Sequence, residues 1–174
     1  DATITSFTVH TWKKNFGHSM IDNVELSIGG SRIDKQYGVW MEIWDQLSRS
    51  STSDVAMNNC LGSPSGVPNP AAEVDLFVPL QFFCNRNPGL ALPLIALQYH
   101  DVRVDIDFAA ASTACTHVTG GAVSLSSAQL LVEYIYLDSE ERKRFAQASH
   151  EYLIEQLQYS GAELMTASTN NKYR

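Results

Sequence analysis

The chain has 174 residues, of which 44% are hydrophobic and 18% are charged, and a formal net charge of −7. This length allows one sizeable domain, and the composition is typical of a globular protein rather than a disordered one. Lys and Arg form no extended block, which argues against a protein that binds nucleic acid through clustered cations. Three widely spaced cysteines predict reduced thiols. The longest apolar run, residues 90–97, is too short to span a bilayer, which takes about 20 residues.

The first third of the chain predicts strands. Residues 2–12 are rich in β-branched and aromatic side chains, and residues 24–28 alternate between apolar and polar types, as a half-buried strand does. Gly29 and Gly30 follow at once. Because glycine accepts the positive φ angles of a tight turn, residues 31–37 are predicted to return antiparallel and complete a hairpin.

A helical period replaces the strand period in the next segment. Trp40, Ile43, Trp44 and Leu47 stand at i, i+3, i+4 and i+7, which places them on one face of a short helix. We expect this face to pack inward, either against the β-sandwich that the predicted strands form or against a neighbouring subunit, with the tryptophans as anchors. Residues 48–70, rich in Ser, Asn, Gly and Pro, predict a long surface loop.

The second half of the chain again favours strands. They are predicted over residues 74–83, 102–108 and 130–137, and the last is apolar enough to be a central strand. Pro93 is expected in the first turn of a short helical segment that ends near Leu97, because proline fits the start of a helix.

The last predicted elements are a surface helix and a strand. Asp138 and Glu141 have capping-box spacing ahead of a charged helix in which Phe145 is the only large apolar anchor. A final strand is predicted over residues 152–158. Six or seven short strands with only short helices predict an antiparallel sandwich, and the pattern leaves jelly-roll and immunoglobulin-like sandwiches open. The inserted helices favour the jelly roll.

Candidate catalytic and metal-binding residues are few. His150 and Glu151 begin like a zinc-protease helix, but Ile154 stands where the motif requires a second histidine. Asp105 and Asp107 share one strand face and are a candidate cation site. A solvated face with one ion pair is the favoured interpretation, because calcium usually needs six or more oxygen ligands. The sequence therefore predicts no catalytic, cofactor or metal site.

Three ordered stretches of the chain carry a family resemblance. They are GHSMIDNVELSIGGSRIDKQYGVWMEIWDQL (residues 17–47), VPLQFFCNRNPGLALPLIALQYHDVRVDIDF (residues 78–108) and YIYLDSEERKRFAQASHEYLIEQLQYSG (residues 134–161). In this order they resemble the double jelly-roll major capsid proteins of nucleocytoplasmic large DNA viruses. The three stretches cover about half of the chain, which makes the resemblance far more specific than a short motif.

The resemblance implies a structural shell protein with no cofactor and no enzymatic activity. It implies two jelly rolls per subunit, three subunits per pseudo-hexagonal capsomer, and capsomers tiled on an icosahedral lattice. The implied partners are two further copies in a homotrimer, neighbouring capsomers and minor capsid proteins, without direct contact to nucleic acid. The implied site of synthesis is the host cytoplasm, and the implied final location is the virion capsid.

The resemblance also divides the chain. Residues 1–158 correspond to an N-terminal jelly roll, incomplete at its start, and residues 159–174 to a linker toward a second jelly roll. We therefore expect the chain to be part of a longer polypeptide. A carbohydrate-binding jelly-roll module is the alternative and would use loop aromatics and the strand around residues 101–107. A cupin-type metalloenzyme is disfavoured because the histidines are scattered.

Overall fold

The computed structural model describes residues 2–5, 11–62, 74–116 and 122–162. These residues form seven strands in three antiparallel sheets, with short helices between them. The strands are β1 (Ala2–Thr5), β2 (Thr11–Trp12), β3 (Ile21–Ile28), β4 (Ser31–Tyr37), β5 (Val102–Phe108), β6 (Cys115–Thr116) and β7 (Ala122–Leu125). The α-helices are α1 (Phe16–Met20), α2 (Gly38–Ser48), α3 (Asp54–Cys60), α4 (Phe83–Arg86), α5 (Ala111–Ala114) and α6 (Ser139–Gln147), and a 3-10 turn spans Pro88–Leu90.

The largest sheet has the order β4-β3-β5, with β3 in the middle. The period-2 prediction is confirmed, because Val24 and Leu26 are buried on β3 while the residues between and after them are more exposed. The predicted hairpin between β3 and β4 is also confirmed. Gly29 and Gly30 adopt φ angles of 59° and 81°, the positive values that a two-residue hairpin turn of this kind requires.

Strand β4 contains a bulge and turns two polar side chains inward. Ser27 pairs with Arg32 and Leu26 with Asp34, so Ile33 is an extra residue in the ladder. Asp34 and Gln36 are buried, and the Gln36 amide donates to the Asp34 carboxylate at 2.8 Å. A buried polar group needs such partners to offset its lost hydration. β4 is therefore an edge strand whose inner side is held partly by hydrogen bonds.

One face of this sheet carries the main core. Its buried members come from β3, from helix α2 and from the first residue of α4 and its N-cap, and they are Ile21, Val24, Leu26, Met41, Phe82 and Phe83. A second, smaller cluster joins α1 to the α5–β6 region and consists of Phe16, Ala114 and Cys115. The core therefore depends on α2 lying directly across the sheet.

Two of the strands predicted in the second half of the chain, over residues 74–83 and 130–137, are wrong. Residues 74–83 form only a single bridge at Val74, because Pro79 lacks an amide donor and the chain turns into α4 from Phe83. Residues 130–137, which we name the apolar segment, form no strand. A strand requires a neighbouring backbone for its hydrogen bonds, and the described residues provide none for this segment.

Two of the helix predictions are confirmed, and the one after Pro93 is wrong. α2 forms where the helical period predicts it, and α6 begins with the predicted cap, in which the Asp138 carboxylate accepts from the Glu141 amide at 2.8 Å. After Pro93 the chain forms successive hydrogen-bonded turns rather than a helix. The predicted loop over residues 48–70 contains α3, which buries no side chain and so lacks the apolar period that identifies a helix in a sequence.

Glycine at position 38 is expected to be essential for stability. A Cβ atom there would lie closer than 3.0 Å to the backbone carbonyl oxygens of Ile21 and His18, so either the helix or the strand must shift. We expect Gly38→Ala to lower the free energy of unfolding by about 3 kcal/mol, the upper part of the usual range for overpacking. Gly30→Ala is the control, because its Cβ meets open space and only the positive φ opposes it, at about 1 kcal/mol. Equal losses in urea unfolding would contradict this account.

Candidate assembly surface

Helix α2 buries a different face from the one that its apolar spacing predicts. Met41 is 0% exposed and Asp45 is buried, whereas Ile43 and Leu47 are 46% and 79% exposed. For Ile43 and Leu47, packing against the sandwich is therefore wrong. Gly38 permits this arrangement, because a Cβ there would lie closer than 3.0 Å to the carbonyl oxygens of Ile21 and His18. Packing of Ile43 and Leu47 against a neighbouring subunit stays a prediction.

The two tryptophans of α2 are half-buried and lie side by side. The ring centroids of Trp40 and Trp44 are 6.0 Å apart, at an interplanar angle of 38°. The guanidinium of Arg86, at the end of α4, lies 4.2 Å from the Trp44 ring centroid, in the range of a cation–π contact. Arg86 therefore covers one face of the Trp44 ring.

Arg86 connects α2 to the C-terminal part of the described chain. Its Nη1 atom lies 2.6 Å from the Glu155 carboxylate, and its Nε donates to the backbone carbonyl of Gln81 at 3.1 Å. Glu155 belongs to residues 152–159, which we name the strap. The Arg86 side chain is therefore fixed on Trp44 and Gln81 and binds the strap through one ion pair.

The strap lies beside β4 but does not pair with it as a strand, so the predicted strand over residues 152–158 is wrong. The Gln156 side-chain amide donates to the Ile33 carbonyl at 2.5 Å, and the Leu157 backbone amide donates to the Asp34 carboxylate at 3.0 Å. Two contacts hold its ends: the Tyr152 hydroxyl donates to the Ala91 carbonyl at 3.3 Å, and the Tyr159 ring lies 4.6 Å from the Tyr37 ring.

A polar cluster attaches α1 to α2. His18 is buried, and its Nδ1 lies 2.8 Å from the Glu42 carboxylate, which also accepts from Asn15 at 2.8 Å and from Gln46 at 2.5 Å. Burial raises the pKa of Glu42, but the hydrogen bonds from His18, Asn15 and Gln46 outweigh it and hold the pKa below the ordinary glutamate value. The ionised carboxylate thus helps to hold the two helices together.

A second ion pair continues this cluster toward α3. The Arg49 guanidinium pairs with Asp45 and also bonds Asp54 at 2.8 Å and Asn58 at 2.7 Å. Ligand atoms of His18, Glu42 and Asp45 lie within 4.8 Å of one another, close enough to share a cation. However, Arg49 already supplies a positive charge to Asp45, and three side chains already bond Glu42. The cluster is therefore best explained as a structural connection.

The remaining candidate residues have local roles. Phe145 on α6 is half-buried and stacks on His150, with ring centroids 5.2 Å apart, and His150 Nε2 lies 2.8 Å from the Phe145 carbonyl. On β5, Arg103 pairs with Asp105 at 2.7 Å. This is the local ion pair that the favoured interpretation of the strand face expects, and Asp107 accepts from the Asn23 side-chain amide at 3.0 Å.

The described residues expose much apolar surface in two places. One is the outer side of α2 and α3, where Val39, Leu47 and Val55 are each at least 74% exposed. The other is the apolar segment, in which Leu131 is 74% and Tyr136 is 84% exposed. Large exposed apolar patches mark interaction sites in soluble proteins, so both places are candidates for contact with a partner. The i, i+4, i+8 spacing of residues 39, 43 and 47 is the signal that a sequence reading could have used.

No helix among the described residues is both long and apolar enough to cross a membrane.

A comparison with known protein families identifies the family of the chain. The profile described as "Major capsid protein N-terminus" matches residues 1–138, which is most of the chain. The chain belongs to this family. The resemblance to the major capsid proteins of nucleocytoplasmic large DNA viruses is therefore confirmed.

Individual relatives agree with the family. The chain is 49% identical over 152 residues to the "Major capsid protein" of Pyramimonas orientalis virus, covering 84% of this chain and 38% of that protein. It is 44% identical over 181 residues to "Capsid protein 1" of Acanthamoeba polyphaga mimivirus, covering 94% of this chain and 30% of that protein. The chain thus spans about a third of the length of these curated relatives.

A solved structure agrees with the predicted fold. The structure titled "PBCV-1 virus capsid, quasi-atomic model" matches with a TM-score of 0.65 and 36% identity, covering 90% of this chain and 43% of that chain. The predicted fold class, an antiparallel jelly-roll sandwich with short inserted helices, is confirmed by this likeness.

The two faces of α2 are expected to respond differently to truncation. Met41→Ala removes a fully buried side chain and should lower the free energy of unfolding by about 2–5 kcal/mol. Leu47→Ala removes an exposed one and should change it by less than about 0.5 kcal/mol. Urea unfolding of both variants measures the difference. A larger loss for Leu47→Ala than for Met41→Ala would show that the predicted face, and not the observed one, is buried.

Acid is expected to weaken the attachment of α1 to α2. Because the pKa of Glu42 is lowered in the folded chain, its ionised form stabilises the fold above its ordinary value near 4.5. This contribution is lost as the pH falls through the lowered value. The free-energy difference between wild type and Glu42→Gln should therefore be largest near neutral pH and shrink as the pH falls below 4.5. Urea unfolding across this range tests it, and a difference that grows in acid would contradict it.

Proposed function

We propose that this chain is part of a structural subunit of an icosahedral viral capsid. The observation that carries the proposal is the family match over residues 1–138, together with 44–49% identity to two viral capsid proteins. Residues 1–158 would be the N-terminal jelly roll of the subunit, and residues 159–174 would lead toward a second one. That the chain spans about a third of these relatives supports this division.

The proposed assembly unit is a homotrimer that forms a pseudo-hexagonal capsomer. A trimer closes through head-to-tail contacts, in which one flank of each subunit meets a different flank of the next. Two separate apolar surfaces, the outer side of α2 and the apolar segment, suit such an arrangement better than a single self-complementary patch. Neighbouring capsomers and minor capsid proteins are the further partners, in a virion whose subunits are made in the host cytoplasm.

A structural rather than catalytic role is part of the same proposal. The one group of ionisable side chains that lies together among the described residues, His18, Glu42, Asp45 and Arg49, is bonded within the protein. The net charge of −7 and the lack of an extended basic block support a subunit that does not bind nucleic acid directly.

The experiment compares residues 1–174 with the extended subunit that its relatives suggest. The isolated chain leaves the apolar segment uncovered, and each 100 Å² of lost apolar burial costs about 2.5 kcal/mol. A typical net stability is only about 5–15 kcal/mol. We therefore expect the short chain to aggregate or melt broadly, and the extended subunit to sediment as a stable trimer.

Analytical ultracentrifugation and thermal melting measure both properties. A monodisperse short chain with a sharp melt equal to that of the long form would show that residues 1–174 need no further cover. An extended subunit that stays monomeric at every concentration would contradict the proposed trimer.

A further inference from the structure

The strap leads directly into the part of the chain that is proposed to connect two jelly rolls. It spans residues 152–159, and the proposed linker covers residues 159–174. Two domains joined by a free linker move relative to one another unless a large apolar interface holds them. A connecting segment that is bonded to one domain over several residues has a fixed point of departure instead. The contacts of the strap therefore bear on how the second domain is placed.

We propose that the strap is a docked connector, which fixes the place where the chain leaves the first jelly roll, and that Arg86 is the positioning residue that holds it there. The inference rests on the proposed function, because it needs a second domain after the strap. It goes further in naming the residues that set the arrangement of the two domains.

The strap is attached at both of its ends. The Tyr152 hydroxyl donates to the Ala91 carbonyl at 3.3 Å, and the Tyr159 ring lies 4.6 Å from the Tyr37 ring. Tyr37 is the last residue of β4 and directly precedes α2. The next residue, Gly38, lies at the close approach of α2 to the backbone of α1 and β3. The chain therefore leaves the strap beside a closely packed junction of the fold.

Between its ends the strap is bonded to the bulge of β4. The Gln156 side-chain amide donates to the Ile33 carbonyl at 2.5 Å, and the Leu157 backbone amide donates to the Asp34 carboxylate at 3.0 Å. Asp34 is buried, so the second bond reaches into the fold and not merely across its surface. Because both acceptors belong to the irregular part of β4, they fix the position of the strap along that strand.

Arg86 joins the middle of the strap to α2 and α4. An ion pair with an exposed partner contributes little when both side chains must be ordered to form it, and Glu155 is 74% exposed. Here the guanidinium is already positioned by the Trp44 ring and the Gln81 carbonyl. Only Glu155 must be ordered, so Arg86 is a prepared anchor for the strap.

Hydrogen exchange of residues 1–174 tests the attachment. Arg86→Ala is compared with wild type and with Arg103→Ala, which removes an ion pair on β5, at the opposite edge of the sheet from β4. We expect Arg86→Ala to speed exchange of peptides over residues 152–159 about fivefold, the upper end of the effect of one exposed ion pair. Arg103→Ala should leave these peptides unchanged. Unchanged exchange in Arg86→Ala, or a strap that opens only together with residues 21–28 of β3, would overturn Arg86 as the positioning residue.

A second variant removes the same ion pair from the side of the strap. Glu155→Ala truncates a side chain that is 74% exposed, so it leaves the core intact even if Arg86→Ala fails to fold. We expect strap exchange about threefold to fivefold faster than in wild type. Equal exchange in Glu155→Ala and wild type would overturn the ion pair as the attachment.

The placement of the second domain is tested in the extended subunit. One dye is attached at Asp101, which is exposed and whose backbone carbonyl is bonded to the turn between β3 and β4, and the other beyond residue 174. Single-molecule energy transfer at picomolar concentration removes any effect of neighbouring subunits. We expect one narrow distance distribution in wild type and in Arg103→Ala, and a broader one in Arg86→Ala. A broad distribution in wild type, or a narrow one in Arg86→Ala, would overturn the docked connector.

The docked connector and the proposed capsid function fail separately. An extended subunit that never forms a trimer contradicts the proposed capsomer, and it leaves the exchange and distance measurements valid because neither depends on assembly. A stable trimer of an extended subunit whose Arg86→Ala variant keeps the wild-type distance distribution supports the capsid role and overturns the connector.

Discussion

Helix α2 approaches the backbone of α1 and β3 so closely at Gly38 that a methyl group there would press against two carbonyl oxygens. This contact sets the rotation of the helix. It turns Met41 into the core beside the buried side chains of β3, and it brings Glu42 within hydrogen-bond distance of His18. The same rotation leaves Ile43 and Leu47 facing outward. Core, polar connection and candidate assembly surface therefore all follow from one close approach.

The family to which the chain belongs accounts for the apolar residues on the outer side of the molecule. A shell subunit needs a stable sheet and flanks that other subunits can cover, and it needs no pocket. The polar clusters hold short helices together, and the exposed apolar surfaces are the proposed contact sites.

Local signals in the sequence were sufficient for some elements and not for others. The Gly29-Gly30 turn, the alternation around Val24 and the Asp138 cap each depend on a few neighbouring residues, and all three are confirmed. The strand predicted over residues 130–137 depends on a distant backbone that the described residues do not supply. The buried face of α2 depends on a contact with residues distant in the sequence, and the spacing of apolar residues along the helix does not reveal that contact. The residue pattern over 152–158 predicted a strand, and nothing in it indicated the ion pair with Arg86.

The measurement that tests the account most directly is hydrogen exchange at the apolar segment, compared between residues 1–174 and the extended subunit. If the chain is part of a shell subunit, the amides of residues 130–137 should exchange quickly in the short chain, where these side chains are exposed. In the extended subunit they should be strongly protected, because the same residues gain a partner. Fast exchange in both forms would contradict the account, since an uncovered apolar segment of this kind does not belong in a finished capsid subunit.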